Sequence, residues 1–235
     1  LRDGSNNPIG GVTDFSVSAS GDATAGGVTE TGTAGTYTFT VSNNTAEIVT
    51  VSVTAGGALL QDQPDITFEA GAVDLIAITT QPEASIAGEA ILGPPTVFLT
   101  DQFSNRVPNV SVSVTEQGGQ AFESGDLAVL TDLNGEAQFT NLVLGPEGDY
   151  NLVFTAETET ATSNVFSVSP ADPDPASTTA SVPNGSAGDA TGITITVEDA
   201  FGNRVEGVSS NLAASVTSGP NSGAVFTAIT DDGNG

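Results

Sequence analysis

Asp101-Gln102-Phe103-Ser104-Asn105-Arg106-Val107-Pro108-Asn109-Val110 has two counterparts elsewhere in this chain of 235 residues. They are Asp3-Gly4-Ser5-Asn6-Asn7-Pro8-Ile9-Gly10-Gly11-Val12 and Asp199-Ala200-Phe201-Gly202-Asn203-Arg204-Val205-Glu206-Gly207-Val208. The leading aspartates, Asp3, Asp101 and Asp199, stand 98 apart both times (101 − 3 and 199 − 101). A second marker keeps almost the same beat. Gly35, Gly135 and Gly235 lie 100 apart, each near the end of a polar turn. A period this long and regular marks tandem copies of one small domain. About 100 residues is enough for such a domain to bury its own core.

Outward from the motif, the sequence alternates apolar with hydroxyl residues, the pattern of half-buried strands. Phe15 to Ala19, Tyr37 to Val41, Ile48 to Val53 and Asp65 to Phe68 are the predicted strands of the first copy. The middle copy carries Val73 to Thr80, Pro95 to Thr100, Val110 to Val114, Leu127 to Leu130, Ala137 to Leu144, Tyr150 to Thr155 and Asn164 to Val168. Ile193 to Val197 repeats the strand that precedes the motif. No stretch sustains a helical apolar period. About seven short strands per copy, with turn signals every 8 to 12 residues or so, predict an all-β chain of tandem immunoglobulin-like β-sandwich domains. The expected division is 1–71, a partial domain lacking its N-terminal strands, then 72–171, a complete domain, then 172–235, a partial domain lacking its C-terminal strands. Each partial domain is expected to leave sheet edges open.

Composition removes whole classes of function. Three residues are basic (Arg2, Arg106 and Arg204) against 29 acidic ones, a net charge of −26. Such a chain is repelled by nucleic acid, whose recognition depends on Lys and Arg at phosphates, and by anionic membrane surfaces. No apolar run approaches the roughly 20 residues that span a bilayer as a helix. Residues 1–30 hold no basic segment followed by an apolar one, so no signal peptide is expected there. Lys, His, Cys, Met and Trp are all absent. Without His, Cys or Lys there is no Ser-His-Asp triad, no thiol nucleophile and no Schiff base. A paired-carboxylate mechanism would need a cleft between two fixed acids, and these acids cluster in turns. The chain is expected not to be an enzyme.

Val197-Glu198-Asp199-Ala200-Phe201-Gly202-Asn203-Arg204-Val205-Glu206-Gly207-Val208 resembles the signature of bacterial immunoglobulin-like repeats of the intimin and invasin adhesin type. Gly35-Thr36-Tyr37-Thr38-Phe39-Thr40-Val41, followed by Ile48 to Val53, is similar to it too. The middle copy, with Thr80-Gln81-Pro82 and Ala87-Gly88, resembles a related repeat of large secreted bacterial surface proteins. The resemblance covers nearly the whole chain and implies a structural segment of an extracellular or cell-surface stalk or fibre. It brings no catalytic residues with it. Two other functions stay open. One is a filament protomer whose unfinished terminal domains are completed by neighbouring subunits through donated strands. The other is a glycan- or receptor-binding module, which the absence of Trp and the core-strand setting of Tyr37 and Tyr150 disfavour. In each case the expected partners include neighbouring repeats or subunits of the same protein, with no nucleic acid and no membrane insertion.

Oxygen ligands are all this chain offers a metal, so calcium is the candidate cofactor. Asp74 and Asp174 stand 100 apart just after the two expected junctions, with Glu69 near the first and Asp172 near the second. A shared cation there would stiffen the linkers. Against it, Asp172-Pro173-Asp174-Pro175 also reads as an extended, solvated spacer stiffened by proline. Asp132, Asn134 and Glu136 resemble the opening of a calcium loop, but Asn134-Gly135 reads more strongly as a type I′ hairpin turn. Asp3, Asp101 and Asp199 are expected to cap their own turns, with Asn105 and Asn203 at positive φ. Phe103 and Phe201 could be exposed contacts for a neighbour, but the expected role is to plug sandwich ends. Arg106 and Arg204 are expected to pair with carboxylates across a domain or subunit contact.

Overall fold

The computed structural model describes residues 1–216 and 229–233, and these are built of short strands with one 3₁₀ turn among them, at Ser209–Asn211. Gly235, the third member of the glycine series, lies outside the described residues. Strands β1 (Phe15–Ala19), β2 (Thr24–Ala25), β3 (Thr29–Glu30), β4 (Tyr37–Thr38), β5 (Val41–Ser42), β6 (Ile48–Ala55), β7 (Ala58–Leu59) and β8 (Asp65–Thr67) come first. Next are β9 (Leu75–Thr80), β10 (Ser85–Ile86), β11 (Thr96–Thr100), β12 (Ser111–Glu116) and β13 (Ala128–Leu130). They are followed by β14 (Glu136–Gln138), β15 (Gly148–Tyr150), β16 (Leu152–Ala156), β17 (Glu159–Thr162) and β18 (Phe166–Ser169). Finally, β19 (Thr179–Ser181) pairs with β20 (Thr194–Thr196).

The strands from β9 to β18 make a sandwich. One layer is the antiparallel sheet β14-β11-β9 and the other is β13-β12-β16-β17, with a smaller β10-β18-β15 sheet beside them. Alternation along β12 buries Val112 and Val114 and leaves Ser111, Ser113 and Thr115 in water, as a period of two requires. Val97, Leu99, Leu152 and Phe154 are fully buried, and Phe139 meets Phe154 at 5.4 Å between ring centroids. Burying a side chain of this size stabilises the fold by about 1.5–3 kcal/mol. One continuous cluster of buried apolar residues runs from Val73 to Val168.

Three sequence expectations change here. The predicted strand Tyr37 to Val41 is broken: β4 pairs with β3 while β5 pairs with β2, so the ladder changes partner between them. Ala137 to Leu144 is laddered only at β14. Beyond it the chain crosses the end of the sandwich and makes single bridges from Val143 to Ala90 and Ser124. Its apolar residues are buried all the same, which is why the run imitates a strand. Tyr150 to Thr155 also divides, because the chain leaves the sheet of β18 at Tyr150 and joins that of β12 at Leu152.

The first copy is more sparsely filled. β1 and β6 pair in register from Phe15 opposite Ala55 to Ala19 opposite Val51. Val49 and Val51 are its buried apolar side chains, while Ile48 and Leu59 face solvent. Phe15 packs on Tyr37 at 4.6 Å.

Candidate functional site

The three copies of the organising motif fold into the same five-residue turn. In the middle copy Asp101 Oδ1 accepts the amides of Phe103 and Asn105, both at 2.9 Å. Ser104 N donates to the Asp101 carbonyl at 2.9 Å, and Asp101 N donates back to the Asn105 carbonyl at 3.0 Å. Asp199 repeats this with Phe201, Asn203 and Gly202, and Asp3 with Ser5, Asn7 and Asn6. This is a type I turn closed by a left-handed residue. The left-handed position is Ser104 (φ 69°), Gly202 (φ 80°) or Asn6 (φ 67°). It is therefore not Asn105 or Asn203, as the sequence suggested. With ordinary backbone angles, those asparagines are free to use their side chains elsewhere.

They use them across a junction. Asn105 Nδ2 donates to the Asn44 carbonyl at 2.8 Å, and its Oδ1 accepts from Ala46 N at 2.9 Å. Asp101 Oδ2 accepts from Gly71 N at 2.8 Å. The same three bonds recur at the other end of the middle sandwich. Asn203 Nδ2 donates to Gly145 O and Asn203 Oδ1 accepts from Glu147 N, both at 2.8 Å, and Asp199 Oδ2 accepts from Ala171 N at 2.9 Å. Each asparagine amide thus reads a carbonyl and an N–H two residues apart, while the aspartate holds the linker. Asn105 Nδ2 and Asn203 Nδ2 also donate to Asp101 Oδ2 and Asp199 Oδ2, at 2.9 and 2.8 Å. Each aspartate therefore orients the amide that does the reading.

Burial follows the contacts. Asp199 is 0% exposed and Asn203 5%, against exposed Asp3 and Asn7 in the first copy. Burial disfavours the charged form of Asp101 and Asp199. Hydrogen bonds to their carboxylates, from Asn105, Gly71 and Phe103 in one case and from Ala171, Asn203 and Phe201 in the other, outweigh it. Both acids are held below the ordinary aspartate range.

Phe201 also crosses the junction. It lies against Gly88 and Gly145 of the middle sandwich, where a Cβ added at Gly145 would come within 2.8 Å of its ring and one at Gly88 would clash with it. Phe201 thus takes the neighbour-contact alternative and not the expected plug: its seat is floored by glycines of the preceding repeat. Phe103, 50% exposed, lines the first junction beside Glu69 and Asp74. Arg106 is corrected too. Its guanidinium carbon sits 3.6 Å from the centroid of Phe98, a cation–π contact where a carboxylate was expected. Arg204 lines a second cleft with Glu147 and Glu206.

The candidate calcium ligands are distributed as follows. Glu69 and Asp74 share a cleft of about 300 Å³ with Asp101, whose oxygens are already taken by the turn and by Gly71. Asp174 caps its own turn, accepting from Ala176 N and Ser177 Oγ, and Asp172 is exposed. Among the described residues no three His, Cys, Asp or Glu side chains form a group suited to a metal ion. Asp132 Oδ1 takes the amides of Asn134 and Glu136, and only Gly135 has positive φ. The hairpin there is the same type I turn with a left-handed glycine, not the expected type I′.

A sandwich of this topology, with a matching junction at each end, has the immunoglobulin-like fold. The solved structures bear this out at the level of fold. The chain is similar to InvD of Yersinia pseudotuberculosis, at 20% identity and a TM-score of 0.56, with 88% of this chain matched to 65% of that one. It is also similar to the Escherichia coli adhesin FdeC, at 22% identity and a TM-score of 0.61, with 85% of this chain matched to 67% of that one. The chain thus spans about two thirds of each. No protein-family model matches the sequence, and no curated protein does.

Proposed function

We propose that this chain is a structural stalk or fibre segment of a bacterial cell-surface or extracellular adhesin. In this reading its three immunoglobulin-like repeats, 1–71, 72–171 and 172–235, are set in line. The observation that carries it is the duplicated junction: three matching hydrogen bonds, built by Asp101 with Asn105 and by Asp199 with Asn203, at positions 98 residues apart. A flexible linker has no use for a repeated polar clamp, whereas a rod that must hold one repeat at a fixed angle to the next does. Each junction contributes on the order of a few kcal/mol, since the two bonds to the ionised aspartates exceed the neutral ones.

The side chains support a mechanical role over a binding one. Tyr150 is 9% exposed and its hydroxyl donates to the Pro146 carbonyl at 2.9 Å. Tyr37 packs on Phe15 and donates to the Ile9 carbonyl. Tyr150 therefore offers no face on which a sugar could stack, and Tyr37 has its ring against Phe15. The reading is non-enzymatic, with neighbouring repeats as partners.

Small-angle scattering on the chain and on the Asn105→Ala/Asn203→Ala variant tests it. The parent should scatter as a rod with a fixed maximum dimension, and the variant as a flexibly hinged string. Identical curves would remove the rod. Antibody labelling of intact cells of the source organism should decorate the surface, and label confined to the cytoplasm would refute the location.

A further inference from the structure

Asp172-Pro173-Asp174-Pro175 contains both Asp-Pro bonds of the chain, and it forms the linker between the middle and third repeats. An Asp-Pro bond can be broken in acid by its own side chain, because proline nitrogen is a tertiary amide with no N–H and leaves readily once protonated. The structure treats the two bonds differently. Asp174 is half-buried and engaged at every group. Its Oδ1 accepts from Ala176 N at 3.1 Å, its Oδ2 from Ser177 Oγ at 3.0 Å, and its carbonyl from Ser177 N and Thr178 N at 3.1 and 3.0 Å. Its own amide donates to the Glu198 carbonyl at 2.8 Å. Asp172 is exposed, and among the described residues neither its carboxylate nor its carbonyl accepts a hydrogen bond. Ala171, just before it, is pinned by Asp199 Oδ2 at 2.9 Å. Asp172 is therefore a loose link between two fixed ones.

We propose that Asp172–Pro173 is a self-cleavage site, at which acid divides the chain between its middle and third repeats. The protonated carboxyl of Asp172 attacks its own main-chain carbonyl carbon. The C–N bond to Pro173 breaks, and the carboxyl proton passes to the prolyl nitrogen. Water then opens the cyclic anhydride, which leaves Asp172 as a new C-terminus with two carboxyls and Pro173 as a new amino terminus. Water is the one co-reactant. Asp174 does not follow, because oxygens held by Ala176 and Ser177 are not free to turn onto their own carbonyl carbon. The charged groups around the site are Asp174 on the linker, Asp199 at the Ala171 amide, Glu198 at the Asp174 amide, and Glu147, Arg204 and Glu206 along the cleft that Pro170 lines. None of them is bonded to Asp172. Scission leaves the clamp's groups in place, Asn203 on one piece and Gly145 with Glu147 on the other, but removes the tether that keeps them at high effective concentration.

For the test, the 235-residue chain is held at the lowest pH at which it keeps the circular dichroism of the neutral protein, and its products are weighed over time by mass spectrometry. The expected products are 1–172 and 173–235. The pair 1–174 and 175–235 should form at least about tenfold more slowly, since that bond must wait for the Asp174 turn to open. In concentrated guanidinium chloride at the same pH, the two bonds should be cut at comparable rates. Asp172→Asn keeps the shape of the side chain and removes the attacking acid, so it should abolish the first pair of products. Ser177→Ala releases one Asp174 oxygen and should raise the second pair. Equal cutting at both bonds in the folded chain would overturn the proposal. So would a folded chain cut at neither bond while the unfolded chain is cut at both. Survival of the 1–172 product in Asp172→Asn would also overturn it, because solvent acid alone would then be breaking the bond. An unmoved second pair in Ser177→Ala would remove the turn as the source of the selectivity.

Discussion

Asn203 is a side chain whose value lies in having both a donor and an acceptor. Its Nδ2 and Oδ1 meet Gly145 O and Glu147 N, and it is almost completely buried. Asn203→Ala leaves that carbonyl and amide without partners, so a loss of about 1–3 kcal/mol is expected in chemical denaturation. Asn203→Asp should cost more than Asn203→Ala, because it sets a second carboxylate beside Asp199 and removes the donor to Gly145. Gly88 is constrained from two sides: its φ is +78°, and Phe201 occupies the space a Cβ would need. Gly88→Ala is expected to loosen the second junction while Gly4→Ala, in open space, does nothing comparable. Protection of the Ala171 amide against exchange would report the difference. The asparagine role was present in the sequence as the recurrence of Asn7, Asn105 and Asn203 at one spacing. What hid it was that an Asn in a turn has a sufficient local explanation in left-handed backbone, and only coordinates show that its neighbour takes that conformation.

At the level of elements, the loop read by Asn203 is braced from within. Tyr150, at the end of β15, returns its hydroxyl to Pro146, between the two residues the asparagine contacts. The corresponding loop of the first copy is braced by Asn43, whose Oδ1 takes Thr45 N at 3.0 Å. Tyr150→Phe is expected to lose about 1 kcal/mol and to speed exchange at Glu147 without altering the pairing of β16. The turn aspartates make the junctions acid-sensitive. Their folded-state pKa values are lowered, so the stabilisation is in full force above the unfolded value of about 3.9 and is lost as pH falls through the lower folded value. Coupling between repeats should therefore be flat from about pH 7 to 5 and decline below about pH 4, as followed by amide exchange at Gly71 and Ala171. The Asp101→Asn/Asp199→Asn variant should show a shallower decline. Strand existence was legible from alternation, most clearly at Val112 and Val114. Strand continuity was not, because Tyr37 to Val41 and Ala137 to Leu144 carry the right side chains over backbone that changes partner.

For the whole molecule the governing quantity is a charge of −26 carried with three cations. One of these, Arg106, is spent on Phe98. Self-repulsion on this scale opposes compaction and is screened within about 10 Å at 0.1 M salt. The melting temperature is expected to rise as sodium chloride goes from about 10 to about 150 mM, measured by calorimetry. A fall would mean that attractive pairs dominate instead.

Period, fold class and the lack of any Lys, His or Cys to carry chemistry were determined by the sequence alone, because they depend on which residue types occur and how far apart they recur. Tertiary structure decided where the asparagine amides, Phe201 and Arg106 are spent. The asparagines and Phe201 depend on which groups another repeat brings close, and Arg106 on a ring of its own repeat; no spacing along one chain encodes those distances.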